Sequence, residues 1–258
     1  MNERVAAASA AWLWYPDDAD AVRSDDALLV GWPDYFRAPP SVLWVSADAD
    51  ADAVLAWARE RCAAWGARTL LAWVPLAAPD GWERALTEHG GTAHETVDVF
   101  ALDLTAPATD LAAPGDVEIR WQDDEETTRA ALEIGVAAFD EGSIPPPERV
   151  RELAAQAAAD HAAGRASQAV GYLEGEPAGS GGVTFEDGVA RLWGGGVIPA
   201  ARGRGVYRAV LAARLDLARR RGAQLALVKG RVDTSGPILR RAGFGVYGQE
   251  RSYLVPVG

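Results

Sequence analysis

The stretch that decides the fold runs from Leu192 to Leu211 and reads LWGGGVIPAARGRGVYRAVL. It begins as an apolar strand, passes through Pro199 into a glycine-rich turn, and ends in an amphipathic helix. Gly203 and Gly205 lack a β-carbon, so an anion can approach the backbone there, and the amides that open a helix favour negative charge. The stretch therefore predicts a strand, a phosphate cradle and a helix.

Other residues of the stretch fit this prediction. Arg202, Arg204 and Arg208 add positive charge to the turn. Three consecutive glycines at 194–196 destabilise a strand unless the backbone forms a bulge or lies against another chain. An ordinary strand, turn and helix with helix-starting glycines is the alternative interpretation.

Outward from this stretch, the second half of the chain reads as an α+β domain with a mixed sheet. Glu186-Asp-Gly188 is typical of a hairpin turn, and three prolines at 145–147 predict a helix start. The predicted elements are a strand at 117–121, helices at 124–139 and 148–163, strands at 167–173, 179–185 and 190–198, a helix at 205–221, a strand at 224–228, a short helix at 235–242 and a last strand at 246–255.

A linker divides the chain. Residues 105–115, TAPATDLAAPG, contain two prolines and a glycine without periodicity, so we place the boundary between domains 1–113 and 114–258. The first half resembles the second at a few matching positions. Ala53-Val-Leu-Ala56 is identical to Ala209-Val-Leu-Ala212, and Gly66-Ala67 to Gly222-Ala223, at the same offset of 156 residues. With a three-residue shift, Leu86–Gly90 aligns with Leu239–Gly243. These matches predict an internal duplication.

Charge is distributed unevenly. The net charge is −12, yet residues 1–113 hold 18 acids and 7 bases, against 19 and 18 in the remainder. Without a basic stripe, the protein lacks the phosphate-neutralising charge that supplies affinity for nucleic acid. A cationic or neutral substrate fits better.

Several other classes of site and location are excluded or disfavoured. His89, His94 and His161 have no metal-ligand spacing, so no metal site is expected, and Cys62 reads as a buried small hydrophobe. With no secretory signal and no apolar run of membrane-spanning length, we expect a cytoplasmic protein. Eight tryptophans, from Trp12 to Trp82, lie in the first half; they either fill a small core or stack on a ligand.

Residues 197–207, VIPAARGRGVY, resemble the signature of the GNAT acyltransferase superfamily, in which a strand precedes [RQ]-x-x-G-x-[GA] and a long helix. Arg202 fills the first position and Gly205 the fourth, while Tyr207 replaces the usual small sixth residue. The later helix, strand and Gly243-Phe244 pair extend the resemblance over residues 116–258. It implies a tandem GNAT fold: a mixed central β-sheet flanked by helices in two pseudo-repeated domains.

The resemblance implies acetyl-CoA as co-substrate and assigns its contacts position by position. The backbone of Gly195, Gly196 and Val197 would line the acetyl and pantetheine arm. The expected pyrophosphate-binding residues are Arg202, Gly203, Arg204, Gly205, Val206, Tyr207 and Arg208. The first half has Asp48, Asp50 and Asp52 in place of such residues, and three carboxylates would repel pyrophosphate. We therefore expect that half to be a degenerate copy without a cofactor site.

Catalytic residues are predicted less directly. Amides at 195–197 would stabilise the oxyanion. Glu141, next to Asp140, is the candidate base, with a solvated loop flank as the alternative interpretation. The family's usual tyrosine acid is replaced by Leu239, so Tyr253 is the candidate acid and Tyr247 the second choice, although either could be an ordinary strand residue.

These expectations combine into a predicted function. We expect an N-acetyltransferase that acts on a small-molecule amine by direct attack, as a monomer or homodimer, with no nucleic-acid or membrane partner. A protein or peptide N-terminal acetyltransferase and a non-catalytic acyl-CoA-binding module are the alternatives.

Overall fold

The computed structural model describes residues 1–108, 111–140 and 142–258. Within them the chain forms these elements in order: α1 (Asn2–Ala10), β1 (Asp20–Arg23), β2 (Ala27–Gly31), β3 (Ser41–Val45), α2 (Ala51–Ala64), β4 (Thr69–Val74), α3 (Trp82–Glu88), β5 (Thr92–Asp103), β6 (Val117–Trp121), α4 (Glu125–Phe139), α5 (Pro147–Ala163), β7 (Ala166–Leu173), β8 (Glu176–Glu186), β9 (Val189–Val197), α6 (Val206–Arg220), β10 (Leu225–Arg231), α7 (Gly236–Arg241) and β11 (Gly245–Pro256). The predicted elements of the second half are all present, within a few residues at each end.

Two compact units divide these elements, and the division does not follow chain order. The first unit comprises Met1–Phe100, Gly230–Ile238 and Val246–Gly258, and the second comprises Ala101–Lys229 and Leu239–Gly245. The sequence analysis placed a single boundary after residue 113. The units differ from that boundary because the end of the chain, in β11, pairs antiparallel with β4 and packs into the core of the first unit.

Mixed strand pairing organises both units. In the first, the strand order is β1-β2-β3-β4-β11-β5, with β3 and β4 parallel and β4 and β11 antiparallel. In the second, the order is β10-β9-β8-β7-β6, with β9 and β10 parallel and the other neighbours antiparallel. The predicted α+β class with mixed sheet and flanking helices is confirmed.

The core of the first unit is apolar and includes the cysteine. Cys62 is fully buried in it, as predicted, and burial raises the pKa of its thiol to about 11. Trp82 is fully buried as well, whereas Trp14 is 59% exposed. The tryptophans of this unit therefore divide between core and surface.

The predicted helix start near residue 124 and the predicted hairpin turn at 186–188 both form, each with its own local geometry. The Asp124 carboxylate accepts a hydrogen bond from Thr127 N, and the Thr127 side chain contacts the backbone of Asp124, which makes a capping box at the start of α4. Asp187 (φ +49°) and Gly188 (φ +72°) make the β8–β9 turn, where left-handed backbone suits a two-residue hairpin loop. In the described ranges, no helix is both long and apolar enough to cross a membrane.

Helix ends show the same geometry at the positions that the duplication aligns. After α2, Ala67 N donates to Cys62 O, and after α6, Ala223 N donates to Ala218 O. After α3, Gly91 N donates to Leu86 O, and after α7, Phe244 N donates to Leu239 O. Each bond spans five residues, as at the end of a Schellman motif. The two halves therefore share helix-end geometry as well as sequence at matching positions.

Candidate functional site

The amino end of α6 lacks a side-chain cap. Gly205 is its N-cap residue, with φ +83°, and within the described part of the chain no side chain caps the first amides of the helix. Those amides have no partner within the helix, and they lie at the positive end of its dipole. Gly203, with φ +77°, has open space where a β-carbon would stand. At Gly205, by contrast, a β-carbon would lie 2.6 Å from the Pro114 ring. The turn therefore fits a phosphate group on the Gly203 side, where it offers backbone donors and open space.

The three arginines around the turn all have protein partners in the structure. Arg202 donates from Nη2 to Ala138 O at 3.1 Å and from Nε to Val197 O at 3.3 Å. Arg208 Nη1 lies 3.5 Å from Leu111 O. All three side chains are exposed, so they retain access to a ligand at the turn.

Glu174 is the partner of Arg204 and was not singled out in the sequence. Arg204 Nη2 donates to Glu174 Oε1 at 2.5 Å. Through this hydrogen bond Arg204 lowers the pKa of Glu174, so the carboxylate stays charged at neutral pH. A negative charge thus stands beside one of the predicted pyrophosphate-binding residues. The link connects the β7–β8 turn to the α6 turn, and local patterns do not reveal such a pairing.

A bulge interrupts the pairing of β8 and β9. Ser180 pairs with Gly196 and Gly182 with Trp193, so two residues of β9 face one of β8. Gly194 has φ +58°, a left-handed conformation that favours glycine. The run of glycines at 194–196 is therefore partly explained by the bulge, one of the two explanations that the sequence analysis offered.

The spaces beside the other two glycines are filled by the unit's own helices. A β-carbon on Gly195 would lie 3.2 Å from the Tyr207 ring and 3.3 Å from Arg214 Nη2. A β-carbon on Gly196 would lie 2.8 Å from Ala138 Cβ. These faces of β9 are consequently closed, and a ligand can reach this segment only along its backbone edge.

That edge is not fully paired. The parallel register of β9 and β10 runs from Val189–Leu225 to Leu192–Val228 and stops there, although β9 continues to Val197. Among the described residues, 193–197 therefore have no β10 partner in that register, although Trp193 O accepts from Arg214 and Val197 O accepts from Arg202. An open strand edge offers both amide donors and carbonyl acceptors to an extended ligand. The bulge, the open edge and the uncapped turn follow one another along the chain, from residue 193 to residue 206.

The candidate catalytic residues are placed differently. Glu141 lies outside the described residues. Asp140 ends α4 in a left-handed conformation, with φ +56°, and is exposed. Tyr253, on β11, belongs to the first unit, where it packs in the apolar core and its hydroxyl donates to Glu83 Oε1 at 2.7 Å. Leu239, at the position where the family often has tyrosine, is fully buried.

A positive charge inside the second unit was also missed. Arg214 of α6 is 1% exposed and donates to carbonyls of β8 and β9. Its position carries a signal, because it lies four residues after buried Val210 and four before buried Ala218, on the apolar face of the helix. A charged residue at an apolar position of the helical pattern therefore indicates that the Arg214 side chain is buried.

The corresponding helix start in the first unit is capped. Asp50 is the N-cap residue of α2, and its carboxylate accepts from Ala53 N at 3.1 Å. Asp52 contacts His89 Nε2 at 2.7 Å, and His89 Nδ1 in turn contacts Arg59. Two of the three carboxylates that the sequence analysis singled out are thus engaged within the first unit.

Part of the second half of the chain matches a known protein family. The sequence profile described as "Acetyltransferase (GNAT) family" matches residues 129–241. No curated protein matches the sequence significantly.

Solved structures show the same fold over nearly the whole chain. A GCN5-related N-acetyltransferase from Kribbella flavida has 20% identity and a TM-score of 0.66, with 93% of this chain and 90% of that chain covered. Another from Sphaerobacter thermophilus has 20% identity and a TM-score of 0.65, with coverages of 91% and 81%. A protein named as a tandem GNAT from the clavulanic acid biosynthesis pathway has 17% identity and a TM-score of 0.61, with coverages of 98% and 88%.

These matches agree with the predicted tandem fold, since they extend over the first half as well as the second. The members of the matched family transfer acyl groups from acetyl-CoA. Residues 129–241 contain both the bulge of β9 and the uncapped turn before α6. The chain therefore carries a GNAT-family acetyltransferase domain within a tandem GNAT fold.

Proposed function

We propose that the protein is an N-acetyltransferase that transfers an acetyl group from acetyl-CoA to the amine of a small molecule by direct attack. The observation that carries this proposal is the α6 turn: Gly205 opens the helix without a side-chain cap. Beside it, the edge of β9 is open beyond Leu192. Together they provide an anion site continuous with a strand edge, which suits a diphosphate joined to an extended arm.

Acetyl-CoA would be held largely by backbone. In this proposal the amides and charges of residues 202–208 bind the pyrophosphate, and the edge of β9 at Gly195, Gly196 and Val197 lies along the acyl-bearing arm. Bound acetyl-CoA supplies an acyl group activated as a thioester. Amides of the β9 edge then stabilise the negative charge that develops on the acyl oxygen, which is usually a large part of the catalytic effect.

Proton transfer needs a base and an acid. Glu141 is proposed as the base that takes the ammonium proton of the acceptor, and this role rests on the resemblance to the family. Tyr253 is proposed as the acid. Its hydrogen bond to Glu83 and its burial raise the pKa of its hydroxyl, so it keeps its proton at neutral pH. Acting as an acid would require exchange of that hydrogen bond.

The Tyr253 proposal makes a separable prediction. Tyr253→Phe removes the hydroxyl that donates to Glu83, so we expect a loss of about 1 kcal/mol in the free energy of unfolding, measured by urea titration. If Tyr253 is the acid, kcat also falls while acetyl-CoA affinity stays the same. An unchanged kcat would restrict Tyr253 to a structural role. Tyr247→Phe, at the second candidate acid on the same strand, shows which of the two hydroxyls the reaction needs.

The acceptor is proposed to be a small molecule, such as an amino sugar, an amino acid or an antibiotic-like metabolite. One structural neighbour is named as part of a small-molecule biosynthesis pathway, which supports this class. An acidic first half would also attract a cationic amine over long range.

A non-catalytic acyl-CoA-binding module is the second candidate. The observation that favours it is Leu239, because a buried aliphatic side chain stands where many relatives have a proton donor. Calorimetric titration with acetyl-CoA followed by a screen of amines, with release of free thiol as the readout, separates the candidates. Binding with thiol release supports the enzyme, and binding without release from any amine supports the module. Failure to bind would refute both.

A further inference from the structure

Arg214 is a charged side chain in the interior of the second unit. Its Nε donates to Val210 O at 3.3 Å, and its Nη1 donates to Gly182 O at 3.2 Å and to Trp193 O at 3.4 Å. Among the residues that the structure describes, no carboxylate forms an ion pair with it. Arginine keeps its proton at any pH at which proteins fold. The unit therefore contains a positive charge whose hydrogen-bond partners are neutral carbonyls and the Tyr207 hydroxyl.

Two glycines make room for this guanidinium on either side of the β8–β9 bulge. A β-carbon on Gly181 would lie 2.7 Å from Arg214 Cζ, and one on Gly195 would lie 3.3 Å from Arg214 Nη2. Gly194, at the bulge itself, carries the N–H of the peptide whose carbonyl, on Trp193, accepts from Arg214. The guanidinium therefore lies directly beneath the part of β9 that has an open edge.

A buried ion without a counter-charge is expensive. The effective desolvation penalty is on the order of several kcal/mol per ion, and neutral carbonyls offset only part of it. Tyr207, beside Arg214, does not neutralise the charge: burial raises the pKa of its hydroxyl despite the opposing effect of Arg214. The charge is thus permanent, and it lies beneath the strand edge to which the acyl group is assigned.

Acyl transfer creates negative charge at that location. As the bond between amine nitrogen and acyl carbon forms, the acyl oxygen becomes negative. The carbon–sulfur bond then breaks, its electron pair goes to sulfur, and the amine loses its extra proton to the proposed base. A fixed cation stabilises both charged species more than the neutral thioester, so it lowers the barrier. Its hydrogen bond to Trp193 O also polarises the Trp193–Gly194 peptide and strengthens the Gly194 N–H as a donor.

We infer that Arg214 is a positioning residue for this reaction: it supplies a permanent positive charge beneath the β9 bulge, which orients and polarises the bulge peptides and stabilises the departing coenzyme A thiolate. The inference rests on the proposed function, because it presumes that the thioester lies along the open edge of β9. Arg214 acts through the strand and keeps its own protons throughout.

The thiol of free coenzyme A tests this charge without any acceptor. If the thiol of bound coenzyme A has a pKa one unit below its free value, the thiolate form binds more tightly than the thiol form. The affinity of the protein for coenzyme A then increases about tenfold as the pH rises through the range between the two pKa values. We expect this rise in calorimetric titrations of the wild-type protein with coenzyme A, and no such rise with acetyl-CoA, which has no thiol. In Arg214→Met the rise should disappear, with acetyl-CoA affinity unchanged. Arg214→Lys should retain part of it.

Each outcome has a distinct meaning. A wild-type protein that binds neither compound refutes the proposed function, whereas one that binds both with equal pH dependence refutes only the role of Arg214. Persistence of the rise in Arg214→Met also refutes that role. Thermal unfolding checks that Arg214→Met and Arg214→Lys fold before their affinities are compared. Should Arg214→Met not fold, the wild-type comparison and Arg214→Lys still decide.

Discussion

The amino ends of α2 and α6 occupy equivalent places in the two halves, yet they satisfy their free amides in opposite ways. At α2 the Asp50 carboxylate accepts from Ala53 N, so the helix carries its own anion. At α6 the N-cap is Gly205, and none of the side chains that the structure describes caps the first turn. A helix start that is already capped by a carboxylate repels a second anion, whereas an uncapped one retains donors for it.

This difference is the one we expect between a structural copy and a cofactor-binding copy of one fold. The two N-caps lie one residue away from the 156-residue offset of the repeated Ala-Val-Leu-Ala segments, so the helices themselves correspond closely. Asp52 is engaged as well, through His89 and Arg59. The first half thus uses its acidic residues to close the helix start that the second half leaves open.

The largest expected effect comes from adding a carboxylate to the open turn. Gly203 has φ +77° and free space at the β-carbon position, so Gly203→Asp brings charge without a clash. We expect acetyl-CoA affinity to fall by at least about 100-fold, because each close like-charge contact with pyrophosphate costs on the order of 1 kcal/mol or more. Calorimetric titration measures it.

Gly222→Asp is the matched control for this variant. Gly222 follows α6 at its other end, with φ +75° and equally free space, so the same substitution meets the same backbone strain. Both variants should therefore lose similar stability, about 1–2 kcal/mol, and only Gly203→Asp should lose affinity. Equal affinities in the two variants would remove the turn from the binding site.

Removal of the α2 cap is expected to have a smaller effect, and on stability rather than binding. Asp50→Ala leaves Ala53 N without its acceptor, so the free energy of unfolding should fall by about 1 kcal/mol. Asp48→Ala removes the same charge from an exposed position near the helix start and should change it by less than about 0.5 kcal/mol. Urea denaturation of both variants provides the measurement.

Acetyl-CoA binding should be the same in both aspartate variants and in wild type. If Asp50→Ala gained a second equivalent of acetyl-CoA, the first half would hold a latent site that its cap alone suppresses. That result would break the contrast between the two helix starts.

Local signals in the sequence carry most of the fold of the second half. The capping box at Asp124, the hairpin at Asp187-Gly188 and the glycine turn at Gly203 depend on residues near one another in the chain, and patterns of that kind predict them. The repeated helix ends were predictable for the same reason. A buried cysteine among apolar residues, Cys62, also required only its neighbours.

Features that depend on distant partners could not be predicted in this way. The last strand follows α7 in sequence, but its pairing with β4 is decided by competition between strand edges that no local pattern describes. The hydrogen bond of Tyr253 to Glu83 is a consequence of that pairing. Glu174 reaches Arg204 from another turn, and the room for Arg214 comes from Gly181 on β8. Sequence patterns therefore predicted the backbone of the glycine turn before α6, but not the charged side chains around it.

The smallest expected effect concerns those surroundings. Glu174 holds Arg204 in an exposed ion pair and places a negative charge near the open turn, a feature that weakens the contrast with α2. Glu174→Gln frees the guanidinium and removes the repulsion, so we expect acetyl-CoA to bind about two- to threefold tighter at low salt, since exposed pairs are worth well under 1 kcal/mol.

Glu176→Gln is the control, because it removes the same charge two residues further along the chain and should have a smaller effect on affinity. Because salt screens exposed charges over about 10 Å at 0.1 M, the difference between the two variants should shrink as salt is added. Weaker binding by Glu174→Gln would instead mean that the pair orients Arg204 for the ligand, and the carboxylate would then belong to the site.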